Sequence, residues 1–235
     1  MLNGEFNFLS LLSGLDSFVA TKLYMESGKK GIAICFDYGQ PEGEIEIAET
    51  LANYLGITLE IAELDLDINR IGDSPFYPFR NSIFLTTAAN WTLNRTESRN
   101  LVTGLGTESS YKMANYPDCC ASYIINLMFA LNSGVPDNQT INIISPVMGW
   151  SKKEIFNWLV NNDLDDLIPM TTSCYEELSR KYNWGIGCGV CPHCEARKAD
   201  FKLSKANIKN YKNDKKGISN GRIVKPIITN KSKQR

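Results

Sequence analysis

Phe6-Asn7-Phe8-Leu9-Ser10-Leu11-Leu12 runs directly into Ser13-Gly14-Leu15-Asp16-Ser17, and from there into Phe18-Val19-Ala20. The first seven residues are mostly apolar and read as a strand, Phe6–Leu12. Phe18, Leu23 and Met25, with Val19 and Ala20, have helical spacing, and the helix read over Phe18–Ser27 ends at Gly28. A strand that ends in small and hydroxylated residues at the mouth of a helix is an anion site in outline. The first backbone N–H groups of the helix lack partners, and its dipole adds partial positive charge. Ser13 and Ser17 can add hydroxyl donors, and Gly14 lets a phosphate approach the backbone. The same residues also fit an ordinary strand-to-helix turn with Ser17 as its cap.

Outward from this unit, short apolar runs alternate with amphipathic ones, the pattern of a mostly parallel α/β sheet covered by helices. Strands are read at Gly31–Phe36, Thr58–Leu64, Leu101–Leu105 and Ile141–Ile144. Helices are read at Glu44–Tyr54, Asn81–Leu93, Ser122–Leu131 and Lys152–Val160, the last with Ser151 as N-cap. Gly31–Phe36 is apolar throughout and so expected to be buried on both faces. It ends in Phe36-Asp37-Tyr38-Gly39-Gln40, and ligands of open α/β sheets sit beyond the carboxyl ends of strands. These residues suit the base of a nucleotide held by the first loop, or a plain turn with Asp37 as a local acceptor.

After Asn161 the regular pattern gives way to a cysteine-rich stretch and then a helix at Glu195–Leu203. The organisation read from this is a main domain, 1–165, a small appendage, 166–205, and a basic, solvated tail, 206–235. Residues 1–200 carry 14 Lys/Arg against 25 Asp/Glu, whereas residues 201–235 carry 11 against Asp214 alone. Such a block is a solvated tail or an arm for an acidic partner. With no aromatic interleaving beyond Tyr211 it gives no sign of stacking on bases, so nucleic acid is not expected. No apolar run approaches the roughly 20 residues of a membrane span, and the start lacks a basic n-region. A cytoplasmic location is the expectation.

Seven cysteines in a reducing compartment suggest a metal before disulfides. Cys174, Cys188, Cys191 and Cys194 have the spacing C-x13-C-x2-C-x2-C, and four thiolates satisfy tetrahedral Zn2+ with no open position. Buried free cysteines or a redox pair are the alternatives. His193, the only histidine, lies inside the cluster and could replace a cysteine ligand, but with four cysteines present it is read as lying behind the ligands or exposed. A lone histidine next to the metal cluster also excludes a Ser/His/Asp or Cys/His triad elsewhere.

Taken in order, these segments resemble the 7-cyano-7-deazaguanine synthase family of pyrophosphatase-loop ATPases. The matching residues are Leu11–Ser17; Phe36–Gln40; Arg80-Asn81-Ser82-Ile83-Phe84-Leu85; Tyr116-Pro117-Asp118-Cys119; Ser145-Pro146 with Ser151–Ile155; Ser173-Cys174-Tyr175; and Cys188–Cys194. The resemblance implies a Rossmann-like sheet of the adenine-nucleotide alpha-hydrolase kind with a four-cysteine zinc appendage, and a homodimer. It implies a ligase that uses ATP and Mg2+ to adenylate 7-carboxy-7-deazaguanine for attack by ammonia, giving an amide and then the nitrile.

Carried over, Ser13, Gly14, Leu15, Asp16, Ser17 and Gly104 hold the nucleotide phosphates, and Asp37 with Tyr38 lies near the adenine. Asp16, Arg80 and Lys152 are the candidate catalytic residues, and Glu108, Tyr116 and Asp118 face the deazaguanine. The chain departs from the family in three places. Its loop has one glycine fewer than Ser-Gly-Gly-x-Asp-Ser, Pro41-Glu42 replaces an Arg-His pair, and the stretch before Arg80 is short. Relatives in antiviral operons join a deazaguanine to a protein amine, the alternative function. A sulfur-transferring relative would need a spaced cysteine pair where Cys119-Cys120 is adjacent. A zinc-bearing binding protein without catalysis is the further alternative.

The cysteine cluster is expected to hold one zinc ion per chain in a structural role, read by metal analysis of the purified protein. Cys191→Ser should lose metal and solubility, since an open site leaves the appendage unanchored. Full zinc stoichiometry with unchanged stability in that variant would overturn the four-thiolate assignment.

Overall fold

The computed structural model describes residues 6–41, 43–66, 77–108, 116–176 and 178–209. Its centre is a parallel five-stranded sheet built from β1 (Phe6–Leu11), β2 (Gly31–Asp37), β3 (Leu59–Glu63), β4 (Thr96–Thr103) and β5 (Asn142–Ile144), in the order β3-β2-β1-β4-β5. Ser10 in the middle of β1 lies opposite both Ala33 and Val102. Its buried hydroxyl is satisfied at 2.6 Å by that of Thr21. The helices are α1 (Leu15–Met25), α2 (Glu44–Leu55), α3 (Arg80–Arg95), α4 (Ala121–Ser133), α5 (Lys152–Asn161) and α6 (Pro192–Lys202).

Successive strand residues point to opposite faces, and the two apolar clusters follow that alternation. Phe8, Leu12 and Ala33 pack with α1, α2, α5 and α6, whereas Leu9, Leu11, Ile32, Ile34 and Phe36 pack with α3 and α4. The sheet is therefore covered on both faces. All of Gly31–Phe36 is buried, as its unbroken apolar run predicts.

Several boundaries differ from the sequence reading for identifiable reasons. α1 starts at Leu15, three residues before Phe18, because Gly14 rather than Ser17 is the N-cap. β4 starts at Thr96, where α3 passes directly into the strand, so its first residues lie ahead of the apolar stretch at Leu101. α6 starts at Pro192, the favoured position for proline, with Cys191 as N-cap. The α5 cap is as expected: Ser151 Oγ accepts from Glu154 N at 3.2 Å, and Glu154 Oε2 accepts from Ser151 N at 2.7 Å.

Residues 165–170 form a 3-10 helix, and a two-stranded antiparallel hairpin, β6 (Arg180–Tyr182) and β7 (Gly185–Gly187), follows. These elements join the α1/α5 core through Leu167, Ile168 and Trp184, and α6 joins it through Phe201. Of the basic tail, residues 206–209 are helical, Ala206 is buried, and Lys209 reaches Asp165 at 2.7 Å. The remainder, 210–235, lies outside the described residues, as does 67–76, which includes most of the short stretch before Arg80. Among the described residues no helix is long and apolar enough to cross a membrane.

Gly104, immediately after β4, is fixed by packing. A Cβ there would stand 2.3 Å from Ser17 N and 2.5 Å from the Asp16 carbonyl carbon, both backbone atoms. Only glycine lets the end of β4 touch the start of α1. Gly104→Ala is expected to cost about 1–3 kcal/mol, the usual penalty of overpacking, in urea unfolding. It should also weaken anion binding at the α1 mouth, which a phosphate titration of the refolded variant reads.

Candidate functional site

The carboxyl ends of the strands and the N-terminus of α1 enclose a cavity of about 270 Å³. Ser13–Ser17 form one end. The Ser17 hydroxyl accepts from the N–H groups of Ser13 and Gly14 at 3.0 and 3.1 Å and donates to Gly14 O at 2.8 Å. The Ser17 hydroxyl, which the sequence reading offered to an anion as a donor, is thus turned back on its own loop. Gly14 has extended backbone open to any residue, and a Cβ there would meet nothing within 4 Å. Glycine there serves to leave room in front of the loop.

Asp16 and Lys152, far apart in sequence, form an ion pair through Oδ2 and Nζ. Thr107 Oγ1 donates to the same carboxylate oxygen at 3.4 Å. Lys152 reaches Asp16 because it opens α5, whose start is tied back by Glu108 N to Trp150 O (2.8 Å) and Lys152 N to Glu108 O (3.0 Å). The other oxygen, Asp16 Oδ1, is buried without a hydrogen-bond partner among the described residues. An unpaired carboxylate oxygen beside an anion loop fits Mg2+, which binds through one or two carboxylates and the phosphates of its nucleotide.

The other end is aromatic. The Arg80 guanidinium lies 5.0 Å from the Tyr175 ring centre, 5.4 Å from Tyr77, 5.9 Å from Phe84 and 6.0 Å from Tyr38. It donates to the Tyr175 hydroxyl at 3.3 Å, while its buried Nε has no partner among the described residues. Glu44, the first residue of α2, lines the same region, and burial pushes its carboxyl up to about 7 against the opposing pull of Arg80. Burial likewise pushes the Cys119 thiol up to about 12, so this wall residue stays protonated near neutral pH.

Of the sequence-derived candidates, Ser13, Gly14, Leu15, Asp16, Ser17, Tyr38, Arg80, Gly104, Glu108, Tyr116 and Lys152 all line the cavity. Two stand back from it. Asp37 Oδ1 accepts from Gly39 N at 3.3 Å, the local turn that was its alternative reading. Asp118 is buried against Asn81, whose Nδ2 donates to it at 2.9 Å, and Asn81 is the wall residue. Sequence reasoning missed Glu44, Tyr175, Asn81 and Thr107 as wall residues, and it left His193 either behind the metal ligands or exposed. His193 is instead buried in the wall, with Nε2 2.7 Å from the Tyr116 hydroxyl and its ring 4.4 Å from that of Tyr175. The signal available was its neighbours: Ser173, Tyr175 and His193 each adjoin a clustered cysteine.

Those four cysteines converge, with all sulfur atoms within 4.8 Å of one another. Cys174 and Cys191 are 3.8 Å apart and Cys188 and Cys194 are 4.0 Å apart. A zinc tetrahedron with sulfur ligands at about 2.3 Å has edges close to these. Backbone N–H groups of Glu176, Cys188, Cys191 and Cys194 point at the sulfurs of Cys174, Cys188 and Cys191 at 3.3–3.5 Å, which favours thiolates. The set fits a closed structural zinc site. A Cβ on Gly187 would lie 2.7 Å from Cys194 Sγ, so the hairpin reaches the cluster only with glycine there.

The family model for queuosine biosynthesis protein QueC matches residues 7–76 and 70–205. The chain is 30% identical over 222 residues to the 7-cyano-7-deazaguanine synthase of Helicobacter acinonychis (strain Sheeba), covering 84% of this chain and 96% of that protein. It is 30% identical over 220 residues to the synthase of Wolinella succinogenes, covering 83% and 91%. A solved structure described as a predicted subunit of tRNA methyltransferase from Methanocaldococcus jannaschii aligns over 66% of this chain and 74% of that one, at 20% identity and TM-score 0.46. With a sheet, a loop and a cysteine cluster arranged as above, and a family match spanning nearly all the described residues, the chain belongs to the queuosine biosynthesis protein QueC family.

Proposed function

We propose that the chain is a 7-cyano-7-deazaguanine synthase-like ligase that uses ATP to activate the carboxylate of 7-carboxy-7-deazaguanine for attack by an amine. The observation that carries this is the division of a single cavity into an anion end, Ser13–Ser17 with Asp16 and Lys152, and an aromatic end around Arg80. The relatives' name supports the deazaguanine product.

A carboxylate is a poor electrophile, and adenylation supplies it with a leaving group. The N–H groups at the start of α1 and the Lys152 ammonium take the phosphates, and Asp16 Oδ1 offers a ligand to Mg2+. The carboxylate oxygen of the substrate attacks the α-phosphorus, and pyrophosphate leaves. Arg80, on the ring side, holds the carboxylate against the phosphorus and offsets charge as the bond forms. Ammonia then attacks the acyl carbon, AMP departs, and the nitrogen loses a proton to give the amide. The amide oxygen then attacks the α-phosphorus of a second ATP, pyrophosphate leaves, and loss of AMP together with both protons of the nitrogen gives the nitrile. Tyr38 adjoins the adenine, and Tyr116 with Glu108 bounds the deazaguanine. Cys174, Cys188, Cys191 and Cys194 would hold the zinc ion, which would fix the adjoining Ser173, Tyr175 and His193 in the wall. Phe129 and Ile125, 65% and 46% exposed on α4, offer an apolar face to a second copy in a homodimer.

Incubation with ATP, Mg2+, 7-carboxy-7-deazaguanine and ammonium should yield the nitrile with AMP and pyrophosphate, read by mass spectrometry. Asp16→Ala should fold yet lose at least about 100-fold in turnover, the scale of one charge-stabilising group. Pro41-Glu42 in place of the family's basic pair favours a second reading, transfer to a protein amine. In that case AMP forms while the nitrile is absent. No AMP with any amine offered would falsify both and leave a binding protein.

A further inference from the structure

The aromatic end of the cavity contains an acid that the scheme above does not use. Glu44 opens α2 and Arg80 opens α3, so two helices bring one acceptor and one donor group to the same wall. The Arg80 guanidinium lies 5.9 Å from the Phe84 ring and 5.0 Å from that of Tyr175, and Glu44 lines the same cavity. An apolar box with one carboxylate and one guanidinium suits a flat ring whose edge carries both acceptors and donors.

A carboxy-deazaguanine presents, in order round its perimeter, the 7-carboxylate, the 6-oxo oxygen, N1–H and the 2-amino group. The first two accept and the last two donate. Arg80, a planar fork of donors whose Nε has no partner among the described residues, matches the first pair. A carboxylate, which only accepts, matches the second. The adenine ring offers no such pair, because its N1 accepts where N1–H of the deazaguanine donates.

We infer that Glu44 makes the site specific for a 2-amino-6-oxo ring, accepting from N1–H and the 2-amino group while Arg80 donates to the 6-oxo oxygen and the adjoining carboxylate. This rests on the carboxy-deazaguanine reading of the site. The groups facing Glu44 are Arg80 on α3, Cys35 on β2, Tyr38 just after β2, and Tyr175 beside the cysteine cluster. Burial raises both phenols and the Cys35 thiol, so they stay neutral around neutral pH while Arg80 stays charged. Of these groups Glu44 alone titrates there, at about 7. Two N–H donors favour its ionised form, so ring binding releases a proton. Affinity for the ring should rise with pH up to the free carboxyl's value and level off above it.

Calorimetry of ATP, 7-carboxy-7-deazaguanine and its analogue lacking the 2-amino group tests this, on the unaltered protein and on Glu44→Gln, below and above the carboxyl's midpoint. The unaltered protein should prefer the 2-amino ring by about 10- to 100-fold, the scale of one bidentate contact. Glu44→Gln should erase most of that preference and the pH dependence while keeping the wild-type affinity for ATP, which also shows that it folds. Equal affinity of the unaltered protein for both rings overturns the inference and needs no variant. Loss of ATP binding in a Glu44→Gln protein of unchanged melting temperature also overturns it, since Glu44 then serves the adenine. If the unaltered protein binds ATP but neither ring, the carboxy-deazaguanine reading falls first and takes this one with it.

Discussion

The sheet order β3-β2-β1-β4-β5 imposes the constraint on which everything else depends. The chain leaves β1 to one side for β2 and β3 and returns to its other side for β4 and β5. At that reversal the connections part, and a crevice opens beyond the carboxyl end of β1. The loop Ser13–Ser17 lies there because it follows β1, and Gly104 meets it because β4 is the neighbour on the far side. Lys152 arrives from α5, after β5, so that the Asp16–Lys152 pair bridges segments far apart in sequence. None of these contacts is local, yet each follows from the strand order.

Arg197 is another wall residue of the cavity. It is 2% exposed and donates to Ile168 O (3.0 Å), Thr171 Oγ1 (2.7 Å), Ser173 Oγ (3.0 Å) and Trp184 O (2.5 Å). Burial draws its guanidinium down to about 10, which still leaves it charged near neutral pH. With the Phe156 ring 5.4 Å away, this side chain ties the 3-10 helix, the hairpin and α6 to α5. Gly185 is shaped to it, since a Cβ there would lie 2.5 Å from Arg197 Nε. A buried cation spread over four oxygen acceptors fixes orientation in a way that apolar packing does not. The cysteine cluster thus adjoins segments tied together by one buried side chain.

Much of this was legible in the sequence because it is local. The Ser13–Ser17 loop, the Ser151 cap and the cysteine spacing each lie within one short stretch of chain. The misplaced boundaries arose where a local rule had a competitor. Ser17 is a good cap by composition, but its hydroxyl turned back on the loop and Gly14 took the cap. The polar start of β4 was hidden because the strand begins where α3 ends. The box around Arg80 could not be read at all. Tyr38, Glu44, Phe84 and Tyr175 come from four segments, and only folding sets a carboxyl beside a guanidinium among three rings. Asp37 and Asp118 look equally functional in sequence, yet one serves a turn and the other a neighbouring asparagine.

The cavity wall and the metal cluster alternate along the chain: Ser173, Cys174, Tyr175 at one site, and Cys191, His193, Cys194 at the other. No hinge separates the residues that would hold the ion from those that would meet the substrate. An inserted or deleted residue between ligands would move a wall side chain by the same step that spoils the coordination. Drift in the wall is therefore confined to exchanges of side chain at fixed length, and the thiolates act as a ruler for the pocket as well as its anchor.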